Sequence, residues 1–144
     1  MIETPEQRSR TMRAVRSRDT NPEMAVRRFI HAAGLRFRLH DRRLPGVPDL
    51  VFPGRRVVVF VHGCFWHRHP GCPKATLPKS RREYWEPKLT GNVERDLRNR
   101  DALKAAGWKV AVIWECETRD SERLARLASL IREHPTVRPQ PVRG

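Results

Sequence analysis

Cys64, His69 and Cys72 fall within nine residues, in the spacing Cys-x4-His-x2-Cys, and Cys116 follows much further along the chain. Structural zinc takes four nitrogen or sulfur donors in a tetrahedron, and this set offers Cys3His with every cysteine used. The alternative gives Cys116 the ordinary place of a free cysteine, a small apolar side chain buried at a strand end. Spacing leaves both readings open. An odd number of cysteines cannot form a complete disulfide framework, so ligation or free thiols remain.

Asp49 follows Gly46-Val47-Pro48 and opens an extended segment. A carboxylate there, beside the end of a neighbouring strand, can hold Mg2+ against a phosphate. It can equally cap its own turn. His62 and His67 flank Gly63-Cys64-Phe65-Trp66, and an imidazole near neutrality can take a proton from water or stabilise developing charge. Ligation and plain surface positions are the alternatives. A zinc held by Cys64, His69, Cys72 and Cys116 is already full, which favours catalysis for His62 and His67. Phe65 and Trp66 are adjacent, and strand neighbours point to opposite faces, so a shared core is not expected of them. A loop projecting both would make an apolar wedge for a base stack; otherwise one packs beneath the zinc. Glu23 suits the first turn of a helix with or without a function.

The elements that position these groups are legible in outline. Thr4-Pro5-Glu6-Gln7 resembles a capping box and predicts a short helix. Asn21-Pro22-Glu23 starts a second, with Val26, Phe29, Ile30 and Ala33 on one face and Gly34 as the stop. Arg36–His40 reads as an edge strand, Asp49–Phe52 as its neighbour, and Pro53-Gly54 as a tight turn. Val57–Val61, four valines around Phe60, reads as a central strand buried on both faces. The stretch from Pro70 to Pro87 reads as a loop. A third helix is expected near Asn92, with Val93, Leu97 and Leu103 inward and Gly107 at its end. Trp108–Glu115 predicts another buried strand, and Ser121 caps a last helix that buries Leu124, Leu127, Ala128 and Ile131. The pattern makes residues 1–134 one α/β domain, a mixed sheet with helices on both faces, and 135–144 a frayed basic tail.

Lys and Arg number 30 against 16 Asp and Glu, for a net charge of +14 over 144 residues. That excess points to a polyanion, most simply nucleic acid, with stretches such as Arg13-Ala14-Val15-Arg16 set against phosphates. No run reaches the roughly 18–20 apolar residues of a membrane span, and the N-terminus lacks the pattern of a secretion signal. A cytoplasmic, nucleoid-associated chain with reduced thiols is the expectation.

Arg10-Thr11-Met12-Arg13-Ala14-Val15, Ser17-Arg18-Asp19-Thr20, Leu44-Pro45-Gly46-Val47-Pro48-Asp49, His62-Gly63-Cys64-Phe65-Trp66-His67, Asn92-Val93-Glu94-Arg95-Asp96 and Trp114-Glu115-Cys116 together resemble the very-short-patch repair (Vsr) mismatch endonucleases. The motifs keep the family's order from about Arg8 to the last helix. The resemblance implies a restriction-endonuclease-like three-layer α/β/α fold. It implies a strand-specific nick 5′ to the thymine of a T:G mismatch left by deaminated 5-methylcytosine. Carried onto this chain, Asp49 and the backbone carbonyl of Val61 bind Mg2+. His67 activates water, His62 assists at the phosphate and Glu23 supports the histidine side. Cys64, His69, Cys72 and Cys116 hold structural Zn2+; Met12, Phe65 and Trp66 form the wedge; Lys88 and Asn92 reach base edges. The implied partners are mismatched duplex DNA, a mismatch-repair matchmaker protein and a repair polymerase, with the enzyme a monomer.

Two departures matter. Related nucleases carry an acid and a lysine two residues apart on the strand after the Asp, where this chain has Phe60 and His62. One carboxylate plus imidazoles must then suffice. Arg68-His69-Pro70-Gly71 also runs one residue longer than the family's segment, which leaves His67 a rival to His69 as zinc ligand. A restriction-type or nonspecific endonuclease, or an idle zinc DNA-binding module, are the competing functions. Asp49, His62 and His67 together argue against the last.

Overall fold

The computed structural model describes residues 20–134. The helix expected at Thr4, the residues Met12, Arg13 and Arg16, and the expected tail 135–144 lie outside them.

Helix α1 (Asn21–Ala32) begins where Thr20 Oγ1 accepts the Glu23 N–H at 3.4 Å, and Pro22 occupies the first turn, where its missing donor costs nothing. Val26 and Ile30 are fully buried, and Gly34, at φ +85°, takes the left-handed conformation that ends the helix. Strand β1 (Arg38–Leu39) is shorter than the expected Arg36–His40, and both of its residues are exposed. Phe37, just before it, turns its ring onto Phe52 at 5.9 Å. Strand β2 (Leu50–Phe52) runs antiparallel to β1 and to β3 (Val57–His62). Strand β4 (Lys109–Trp114) lies parallel to β3, so the sheet order is β1-β2-β3-β4.

β3 is the buried centre that its valines predict. Val57 and Val59 face a core with Val26 and Ile30 of α1 and Leu124, Leu127 and Ile131 of α3 (Ser121–Glu133). Val58 and Phe60 face the opposite side, where Leu103 of α2 (Arg82–Ala105) packs. Helices therefore cover both faces of a mixed sheet. β4 departs from expectation: as an edge strand it buries only Ala111 and Ile113 fully.

The largest correction is α2, which spans 24 residues from Arg82 rather than starting near Asn92. Pro87 lies in its second turn and removes only the bond to the Glu83 carbonyl. Trp85 and Leu89, one turn apart on either side of it, bury against Trp66, and that packing outweighs the lost bond. Leu97, expected inward, is 49% exposed, whereas Leu103 is buried. Ser121 is the first residue of α3 rather than its cap. The Asp120 carboxylate takes that place, accepting the N–H groups of Glu122 and Arg123 at 3.0 and 3.3 Å.

Candidate active site and metal centre

The hairpin β2–β3 and the turn after β3 build the site. Gly46 (φ +76°) and Val47 (φ +48°) bend the chain just before Asp49. A Cβ at Gly46 would come within 3.0 Å of the Asn99 side chain on α2, so any other residue would both strain this φ and press on that helix. Asp49 then projects beside the C-terminal half of β3, where Oδ2 accepts the Val61 N–H at 2.7 Å. Oδ1 faces His40 Nε2 at 3.9 Å, and the same Nε2 lies 3.0 Å from both Glu23 oxygens. Arg27, one turn along α1, pairs with the same Glu23 carboxylate. Burial is the largest force pushing the Asp49 carboxyl up to about 8; the Val61 N–H opposes it and the neighbouring Glu23 carboxyl adds to it. Two carboxyl groups packed this closely call for a cation or a shared proton.

The second half of the site hangs on the end of β3. His62 is buried, and its ring lies flat on that of His67, with centroids 3.8 Å apart and planes 6° apart. Burial, reinforced by the neighbouring His67, pushes the His62 imidazole down to about 3, so it is neutral at physiological pH. His67 Nδ1 lies 2.5 Å from Asp96 Oδ2 on α2. A carboxylate can only accept, so Nδ1 carries the hydrogen, and in the neutral ring that leaves the lone pair on Nε2. Glu23, His40, Asp49, His62, His67 and Asp96 all line one cavity of about 710 Å³.

After His62 the backbone coils back, with the His67 N–H bonded to the Gly63 carbonyl at 3.1 Å and the His69 N–H to the Cys64 carbonyl at 2.9 Å. This turn brings His69, not His67, to the cysteines. His69 Nδ1 lies 3.7 Å from Cys64 Sγ and 3.4 Å from Cys116 Sγ, and the ring stacks on Trp114 at 4.3 Å. Donors of Cys64, His69, Cys72 and Cys116 all lie within 4.8 Å of one another. Sulfur and nitrogen on one tetrahedral zinc sit about 3.6 Å apart, from bond lengths of about 2.3 and 2.05 Å. The donor set fits that ion. Burial pushes the Cys64 thiol up to about 12, which a bound cation would reverse.

The same turn removes the strand alternation that separated Phe65 from Trp66. Both rings join one aromatic cluster with Trp85, at 5.4 and 5.9 Å, rather than packing under the cysteines. Trp66 is buried there and Phe65 half-buried. Asn92 is buried too: its amide donates to the Trp66 carbonyl at 3.1 Å and accepts from Arg95. Lys88 lies over the Tyr84 and Trp66 rings, at 5.4 and 5.9 Å. Glu23 stands with Asp49 and His40 rather than against the stacked histidines.

Sequence reading missed His40 and gave Asp96 no role. His40 is recognisable only once the hairpin register, Leu39 opposite Leu50, sets it across from Asp49. Asp96 lies one helical turn after Asn92, so both face the site from α2.

Paired acids and oriented imidazoles in one cleft of a strongly basic chain are the equipment of a DNA endonuclease. The profile of one family, described as DNA mismatch endonuclease Vsr, matches residues 2–74. A type II nicking enzyme, V.XorIIP, of Xanthomonas oryzae pv. oryzae is 55% identical over 129 residues, covering 89% of this chain and 94% of its own. The DNA mismatch endonuclease Vsr of Escherichia coli K12 is 44% identical over 117 residues, covering 81% and 74%. V.NmeAIP of Neisseria meningitidis is 43% identical over 136 residues, covering 92% and 96%. The chain belongs to the Vsr family of DNA mismatch endonucleases.

Proposed function

We propose that this protein nicks one strand of duplex DNA 5′ to the thymine of a T:G mismatch, with Mg2+ as cofactor, and so opens very-short-patch repair. The observation that carries the mechanism is the His67–Asp96 pair. Asp96 holds His67 in the tautomer whose Nε2 is free to accept a proton from the attacking water. His62, neutral and stacked on His67, contributes a hydrogen bond at the phosphate rather than a charge. Asp49 and the Val61 carbonyl are the residues that would hold Mg2+, and Glu23 and His40 crowd the same place. A cation bound there would neutralise charge on the phosphate. Its positive charge would also let Asp49 ionise at neutral pH.

The Cys64–His69–Cys72–Cys116 set would hold Zn2+ as a brace joining the turn after β3 to the end of β4. Phe65 and Trp66 would enter the stack at the mismatch, Lys88 beside them would reach base edges, and Arg13 and Arg16 would meet the backbone. The three-layer arrangement agrees with a restriction-endonuclease-like fold. We place the enzyme in the cytoplasm, acting as a monomer, with a matchmaker protein and a polymerase downstream. Among the described residues no helix is long and apolar enough to cross a membrane.

The test is nicking of strand-labelled duplexes carrying each mismatch in varied flanking sequence with Mg2+. A single nick 5′ to the mismatched thymine is expected. Cleavage of both strands of matched DNA would instead support a restriction-type endonuclease.

A further inference from the structure

We propose that His40 is a nitrogen ligand of the catalytic cation, which tilts the Asp49 site from magnesium toward first-row transition ions. The inference rests on Asp49 being the cation-binding carboxylate. His40 Nε2 lies 3.0 Å from both oxygens of Glu23 and 3.9 Å from Asp49 Oδ1. Donors about 2.1 Å from a shared six-coordinate ion sit roughly 3.0 Å apart at adjacent vertices and 4.2 Å apart at opposite ones. The His40–Glu23 distance equals an edge of that octahedron, the His40–Asp49 distance lies between edge and diagonal, and each side chain offers a donor within 4.8 Å of the others, close enough to converge on one ion with small side-chain shifts.

The backbone fixes this arrangement from both sides. His40 sits just past the end of β1 at φ +45°, a conformation that few residues with a side chain adopt. Its N–H donates to the Asp49 carbonyl at 3.3 Å, so the two side chains leave opposite positions of one hairpin rung. Arg27 pairs with Oε2 of Glu23 and balances one of the two carboxylates. All three side chains of the trio line the cavity, which has room for an ion carrying water and phosphate oxygens.

Magnesium favours oxygen donors and keeps its waters, whereas an imidazole in the first shell favours transition ions. Mn2+ is the appropriate probe: it is the weakest of that series, accepts carboxylates readily, and does not displace zinc from cysteines.

The experiment titrates Mn2+ into the purified zinc-containing protein, reading the free ion by electron paramagnetic resonance, and measures Mg2+ by competition. The unsubstituted protein should bind Mn2+ about 10-fold or more tightly than Mg2+, a difference of the size that single supporting groups give metal sites. His40→Gln, which keeps a hydrogen bond to Glu23, should lose most of that margin while Mg2+ affinity changes little. Pulsed spectra of bound Mn2+ should show a nitrogen coupling that His40→Gln removes; the unsubstituted protein without that coupling overturns the proposal, whatever the variant's folding. Equal losses for both ions would make His40 a positioning residue only, and also overturn it. Asp49→Ala separates the two layers of argument. If it leaves Mn2+ binding intact, the Asp49 site itself is misassigned; if it abolishes binding while His40→Gln changes nothing, only the inference about His40 fails.

Discussion

His67 donates its Nδ1 hydrogen to Asp96 across 29 positions of sequence, at 2.5 Å, and so ties the turn after β3 to the middle of α2. With Nδ1 engaged, Nε2 is the nitrogen that faces away from Asp96. Substituting His67 by alanine should slow nicking about 10²–10⁴-fold, the range for loss of a general base. Asp96→Asn should also slow it, because an amide can bind the wrong tautomer, by an amount between about 10-fold and 10⁴-fold. Single-turnover rates over a pH series check this. An Asp96→Asn enzyme with an unchanged rate and pH profile would remove Asp96 from the mechanism.

Asp49→Ala should abolish nicking while zinc content and mismatch binding stay near normal. The side chain's described partners are Val61, Glu23 and His40, none of which belongs to the cysteine centre. Metal analysis and a binding titration beside the activity assay test all three parts of that expectation.

The cysteine centre should carry one Zn2+ per chain. Cys116→Ala should release it and unfold the protein at moderate temperature, because binding free energy at such a centre is folding free energy. Purified, active protein without zinc would refute the assignment. His69→Ala should behave like Cys116→Ala, whereas His67→Ala should keep its metal; the reverse pattern would mean that the two histidines exchange roles.

The candidate ligands of the cysteine centre were legible because their types are rare and their spacing is local. Cys64, His69 and Cys72 lie within one turn, and the apolar run Val57–Val61 announces the strand that delivers them. His40 and Asp96 were obscure for the opposite reason: each meets its partner only through tertiary structure, one across a hairpin register and one across α2. Pro87 hid the first turns of α2, since local sequence argues against a helix there and only the burial of Trp85 and Leu89 overrides it. Pro87→Ala should accordingly raise stability, by up to about 3 kcal/mol, the cost of an interior helix proline. Thermal denaturation reads it directly, and a lowered melting temperature would show that the proline is required by the turn that leads into α2.

The last prediction concerns Phe65 and Trp66, whose packing changes what their substitution should do. In the protein without DNA Trp66 is 6% exposed and its ring sits in a cluster with Phe65, Trp85 and Leu89. Trp66→Ala should therefore destabilise the fold by about 3–5 kcal/mol, whatever it does to DNA. Phe65 is only half-buried and lines the cavity, so Phe65→Ala should cost less stability. A mismatch stacks less well than a matched pair, so an aromatic wedge opens it at a smaller share of the few kcal/mol that unstacking takes. Wedge residues thus discriminate through deformation energy, while basic residues such as Arg13 bind phosphates on either duplex. Phe65→Ala and, at temperatures where it stays folded, Trp66→Ala should weaken binding to mismatched DNA far more than to matched DNA, with little change in salt dependence. Arg13→Ala should weaken both about equally and make the salt slope shallower by about one unit. Titrations of both duplexes at several salt concentrations make the comparison. Equal losses on the two duplexes for both aromatic variants would confine Phe65 and Trp66 to holding α2 against the turn after β3.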